Sequence, residues 1–209
     1  MKIKAVIFDI GGVLASINGP KRELGHHPVI MSNYIMKRLG IKRDLWVKIF
    51  KLTHVEASTG KLPKRDFLLR LAKGFGTSAS EIEKLFIEGY RKAFRQNEEL
   101  YKYAYALKKR GYKIAILSDQ WKLSEECVMV PSKNRKFNVV VVSCDVGLKK
   151  PDPRIYRLTL RKLRVGADTA VFVDNRRENV AAAKKVGMKA ILYKNNRQVI
   201  HGLKKLGVV

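Results

Sequence analysis

The chain has 209 residues, 46% of them hydrophobic, which suffices for one core domain with an insert. It carries 44 Lys and Arg against 18 Asp and Glu, a formal charge of +26. That excess points to anionic partners such as phosphorylated metabolites, nucleic acid or acidic membrane surfaces. It does not fit the ion-pair network of a thermophile, because Glu is not enriched alongside Lys.

Basic pairs recur along the whole length, among them Arg161-Lys162, Arg176-Arg177, Lys184-Lys185 and Lys204-Lys205. Their spread reads as solvated helix faces rather than one basic tail. Cys127 and Cys144 are too few and too far apart for a metal knuckle or a redox pair, so a reduced, cytoplasmic chain is expected. No stretch approaches the roughly 20 apolar residues of a membrane span. The apolar start is cut short at Asp9 with no small-residue cleavage site behind it, so it does not read as a signal peptide.

Residues 3–8 form an apolar run that stops at Asp9 and enters a Gly11-Gly12 turn. Residues 16–96 then show helical patterns and no strand. Apolar residues recur at three- and four-residue spacing over 29–39, 44–55, 66–75 and 81–94. Ser78 with Glu81, or Ser80 with Glu83, can cap the last of these. Trp46, Phe50, Phe67 and Tyr90 read as core of this insert, with a surface facing a ligand as the sharper alternative. His26-His27 lie in the linker 16–28, where they could touch substrate or replace an acid, although exposed loop histidines are the plainer reading. His54 and His201 fall on helical patterns and read as structural.

From residue 97 onward, short apolar runs alternate with helical stretches. The runs 112–117, 139–143, 170–173 and 190–193 are continuous and rich in Val and Ile, as strands buried on both faces of a parallel sheet are. Asn97 can cap a helix that runs to Arg110 and stops at Gly111. Asp152-Pro153 opens another, and 175–186 ends at Gly187. The progression predicts an α/β fold: a doubly wound, Rossmann-like, parallel five-stranded sheet. Residues 1–15 and 97–209 would form the core, and 16–96 an all-helical cap.

Each strand is followed by polar residues: Asp9; Ser118-Asp119; Asp145 with Lys149-Lys150; Asp174-Asn175. Ligands of open parallel sheets bind outside the carboxyl ends of the strands. Carboxylates, a hydroxyl and an ammonium gathered there suit a divalent cation and a phosphate. Singly, each residue would serve as well as a helix N-cap.

"IFDIGGVL", "ILSD", "GLKKPDPRIY" and "VFVDNRRENVAAAKKVGM", in this order and each behind a strand, resemble the four motifs of the haloacid dehalogenase-like (HAD) superfamily. The match is to its phosphatase-like branch with a helical cap. The resemblance implies Mg²⁺ as cofactor and Asp9 as the nucleophile that forms an aspartyl-phosphate. It implies Asp9, the Gly11 carbonyl and Asp174 as metal ligands. Ser118 would hydrogen-bond the phosphoryl group, and Lys150 would offset its charge, with Lys149 one place off register. Asp119 and the main chain of Gly11 and Gly12 would complete the phosphate-binding set.

The chain also departs from the family pattern. Gly11 stands where the phosphatases usually carry a second Asp, whose acid–base work is worth about 10²–10⁴-fold. Val13 replaces a frequent Thr, and Asn175 a frequent second acid. The leading expectation is a Mg²⁺-dependent phosphatase acting on a small phosphorylated substrate. The alternative is a catalytically impaired HAD fold that binds nucleic acid or another polyanion, although no nucleic-acid motif is present. A 2-haloacid dehalogenase ranks lower, since those enzymes carry an aromatic residue where this chain has Gly11. The polyanion reading predicts nucleic-acid binding near 50 mM salt that weakens steeply as salt rises. A gel-shift titration across salt concentrations checks it, and no binding at low salt rules it out.

Overall fold

The computed structural model of the chain describes residues 2–17 and 29–209. His26 and His27 lie outside the described residues. The strands are β1 (Ala5–Phe8), β2 (Ala15–Ile17), β3 (Phe94–Gln96), β4 (Lys113–Ser118), β5 (Val139–Val142), β6 (Ala170–Asp174) and β7 (Lys189–Leu192). A five-stranded sheet runs in the order β5-β4-β1-β6-β7, with every pairing parallel. The chain moves outward from β1 through β4 to β5, then crosses β1 to reach β6 and β7. This places the topological switch, and hence the ligand crevice, at the carboxyl end of β1.

Between β2 and β3 stand α1 (Val29–Leu39), α2 (Arg43–Ser58), α3 (Lys64–Phe75) and α4 (Ala79–Ala93). After β3 comes α5 (Glu98–Lys109), and between β4 and β5 come α6 (Lys122–Val128) and α7 (Pro131–Asn134). Then follow α8 (Ser143–Val146), α9 (Pro153–Leu163), α10 (Arg177–Lys185) and α11 (Asn196–Lys205). Successive side chains of β1 face opposite sides of the sheet. Val6 and Phe8 pack with Leu100, Ala104 and Leu107 of α5 and with Val199 and Leu203 of α11. Ala5 and Ile7 pack with Ile155, Tyr156 and Leu160 of α9 and with Ala183 of α10. Both faces of the sheet are therefore covered, which explains the unbroken apolar runs. Among the described residues, no helix is long and apolar enough to cross a membrane.

Strand and helix ends fall within a few residues of the sequence expectation. Ser78, rather than Ser80, caps α4: its hydroxyl accepts from the Glu81 N–H at 3.1 Å. The segment 16–96 differs in one respect, because it is not purely helical. β2 and β3 pair antiparallel where the chain leaves and re-enters the core. Strands this short leave no readable period in the sequence.

The insert has its own aromatic core. Trp46 stacks on Phe50 at 4.9 Å and on Phe75 at 5.6 Å. Trp121, from the core segment after β4, enters this cluster 4.3 Å from Phe67, and its indole N–H donates to the Tyr90 hydroxyl at 3.0 Å. Below it, the Ser143 hydroxyl donates to the Ser58 carbonyl at 2.6 Å. Gly60 sits at this seam with φ of +70°, and a Cβ there would lie 2.1 Å from the Cys144 carbonyl oxygen. Gly60→Ala is expected to destabilise the fold by at least about 1–2 kcal/mol, the cost of a left-handed conformation at a non-glycine residue. A lowered midpoint in urea denaturation checks this.

Candidate active site

The carboxyl end of β1 delivers Asp9, buried, beside Lys150, which follows α8 and is also buried. Lys150 Nζ lies 2.9 Å from Asp9 Oδ1 and 2.8 Å from Asp174 Oδ2 at the end of β6. It also donates to the Leu117 carbonyl on β4 at 3.1 Å. Its three N–H groups are thereby directed to three adjacent strand ends. Asp9 Oδ1 accepts in addition from the Ile10 N–H at 2.8 Å. Among the described residues, no donor occupies Asp9 Oδ2.

Around this centre, Asp119 Oδ1 accepts from the Lys150 N–H at 3.0 Å. Asp174 Oδ1 accepts from the Arg176 N–H at 2.7 Å, and Oδ2 from Asn179 Nδ2 at 2.9 Å. A cavity of about 60 Å³ opens above Asp9. It has room for a few waters or one tetrahedral anion. Gly11, Asp119, Lys149 and Lys150 line it from the set named by sequence. Gln120, Arg176, Asn179, Tyr90 and His54 line it as well.

The other residues named from the sequence take these places. Gly12 does not line the cavity, and its N–H donates to the Ala15 carbonyl at 2.7 Å rather than pointing to a ligand. Its φ is +83°, and a Cβ would meet Asn175 Nδ2 at 2.1 Å. Glycine is thus required there to admit Asn175, not a phosphate. Ser118 is fully buried beneath the cavity, where its Oγ accepts from Gln120 Nε2 at 2.9 Å. Asp145 is exposed on α8, where it bonds to Lys122 away from the centre. Trp46, Phe50 and Phe67 are core of the insert and do not line the cavity, whereas Tyr90 is both buried and lining. His54 lines the cavity instead of serving only as packing. No signal in the sequence marked it, because the other residues lining the cavity come from distant segments.

The charges explain what the centre lacks. Burial, with Asp174 and Asp119, holds the Asp9 carboxyl up at about 6 against the opposing pull of Lys150. Burial also raises Asp119. Burial alone would lower Lys150, but attraction to Asp174, Asp9 and Asp119 outweighs it and keeps the ammonium charged. Lys150 makes ion pairs with both Asp9 and Asp174. Asn175 Oδ1 and Asn179 Oδ1, both buried, have no hydrogen-bond partner among the described residues. Clustered carboxylates and spare oxygen acceptors suit a hard divalent cation.

The haloacid dehalogenase-like hydrolase family matches residues 3–187. The chain belongs to this family. Among its curated relatives is the bifunctional epoxide hydrolase 2 of Rattus norvegicus, 26% identical over 228 residues covering 99% of this chain. The chain spans only 39% of that relative's length. The phosphatase MT3486 of Mycobacterium tuberculosis is 26% identical over 222 residues, covering 100% of this chain and 97% of the relative. A HAD family enzyme of Bacteroides thetaiotaomicron, solved in complex with magnesium and inorganic phosphate, superposes with a TM-score of 0.76 at 16% identity. The superposition covers 95% of this chain and 98% of that one, and it shows the shared HAD fold.

The raised Asp9 value has a consequence for stability. The folded protein keeps a proton on Asp9 that the unfolded chain gives up near pH 4. This contribution is fully present below about pH 4 and is lost as pH rises through about 6. In EDTA, wild type is expected to lose stability over that window relative to Asp9→Asn. Paired urea titrations at a series of pH values measure the difference.

Proposed function

We propose that the protein is a Mg²⁺-dependent phosphatase that hydrolyses a small phosphorylated substrate through an aspartyl-phosphate on Asp9. One observation carries the reading: a buried carboxylate with an open oxygen lines a small cavity bordered by Lys149, Lys150 and Arg176. In this reading residues 1–15 and 97–209 are the catalytic core, and 16–96 the cap that selects substrate. The phosphatase name of the M. tuberculosis relative and the magnesium and phosphate of the B. thetaiotaomicron complex support it. The +26 charge favours anionic substrates over neutral ones.

The chain's own residues divide the work. Asp9 Oδ1 is held by the Ile10 N–H and by Lys150, which aims Oδ2 at an incoming phosphorus. A carboxyl titrating near 6 is mostly ionised at neutral pH, as a nucleophile must be. Lys150 lessens the repulsion between two anions, and Arg176 adds positive charge at the wall. Lys149 lines the same wall, and burial lowers its ammonium pKa. Water exclusion by the insert strengthens each of these attractions. Gln120, itself braced by Ser124 at 2.6 Å and bonded to Ser118, supplies a neutral donor. Asp9, Asp174 and the Gly11 carbonyl would hold Mg²⁺, which when bound supplies charge neutralisation and orients the phosphoryl group.

Phosphate release from small phosphate esters is expected with Mg²⁺ and not in EDTA. Asp9→Asn is expected to remove it. Turnover that survives Asp9→Asn overturns the nucleophile assignment.

A further inference from the structure

We infer that His54 is the proton donor to the leaving oxygen, the part that Gly11 has no side chain to play. This inference rests on the phosphatase reading above. Phosphoryl transfer places the attacking and leaving oxygens roughly in line. Asp9 attacks from the core side of the cavity, so the leaving oxygen points toward the insert. Among the described residues, the insert contributes Ile17, Phe94, Ser58, Tyr90 and His54 to the lining. Ile17 and Phe94 carry no exchangeable side-chain proton. Ser58 donates its hydroxyl to the Val55 carbonyl at 3.0 Å. The Tyr90 hydroxyl is pushed far up by burial and takes the Trp121 indole N–H at 3.0 Å. Among the described residues, His54 alone on that wall carries an imidazole, a side chain suited to general acid–base work.

The remaining titratable lining groups, Asp9, Asp119, Lys149, Lys150 and Arg176, all belong to the core. Asp119 is tied to the Lys150 main chain on the nucleophile's side. The His54 ring is buried and stacks on Phe50 at 5.1 Å, which fixes its plane. A Cβ on Gly11 would meet nothing within 4 Å. Among the described residues, the space beside Gly11 is therefore open on the side where a second Asp would begin.

The step balances. Asp9 Oδ2 bonds to phosphorus as the P–O bond to the alcohol breaks, and the imidazolium gives its proton to the departing alkoxide. Neutral imidazole then takes a proton from water as that water's oxygen bonds to phosphorus. The Asp9–phosphoryl bond breaks at the P–O link, which frees phosphate and restores carboxylate and imidazolium.

The test compares kcat/KM, which reports the first phosphoryl transfer, for an alkyl phosphate and for nitrophenyl phosphate. A nitrophenolate leaves without a proton, whereas an alkoxide does not. His54→Gln and His54→Phe, the latter preserving the stack on Phe50, are expected to lose about 10²–10⁴-fold on the alkyl ester and less than about tenfold on the aryl ester. Equal losses on both substrates, or an alkyl ester rate unchanged in His54→Phe, overturn the inference. Asp9→Asn is measured alongside. If it is inactive on both esters while the histidine variants show no leaving-group dependence, the phosphatase reading stands and only the His54 assignment falls.

Discussion

Lys150 Nζ stands 2.9 Å from Asp9 and 2.8 Å from Asp174, and the rest of the centre is arranged around that ammonium. Its third contact, to Leu117, brings in β4, so the cation gathers the ends of the three middle strands of the sheet. A lone buried ammonium would be intolerable, and so would two buried carboxylates without it. Removing one partner of such a set costs about 3–5 kcal/mol, because the charge left behind has no water to turn to. The cluster is therefore a structural joint at the place of the candidate site. The same contacts that align β1, β4 and β6 hold one oxygen of Asp9 and leave the other open to the cavity.

The insert completes the centre from above through contacts that are mostly apolar. Trp121 follows Ser118 and Gln120 in sequence, yet its ring belongs to the aromatic cluster that includes Phe67 and Phe86. The strand end that carries the site is thus anchored to the insert's core. The Ser143–Ser58 bond and the close approach at Gly60 join the two parts on the other side. The small cavity between the two parts is lined by Lys149, Lys150 and Arg176.

The parallel sheet was legible because its strands are wholly buried and so read as unbroken Val and Ile runs. The acids behind them were legible because a strand end is a fixed place in this topology, and Asp9, Lys150 and Asp174 do meet there. What escaped were contacts between segments far apart in the chain. The short β2 and β3 carry too few residues to show a period. His54 sits on an ordinary amphipathic helix and comes to the cavity that Asp9 lines only in the folded chain. Gly12 looked like a phosphate contact because two adjacent glycines admit that reading. Only the packed structure shows Asn175 filling the space that its missing Cβ leaves.

The β2–β3 pair makes the insert's entrance and exit a single joint. Asn97, just beyond β3, donates to the Val13 carbonyl at 2.9 Å, and its own N–H donates to the Leu14 carbonyl at 2.9 Å. Both legs are thereby clasped to the loop behind Asp9. A foreign helical module grafted between the same two legs would find its seat ready, with the ammonium and its carboxylates undisturbed beneath it.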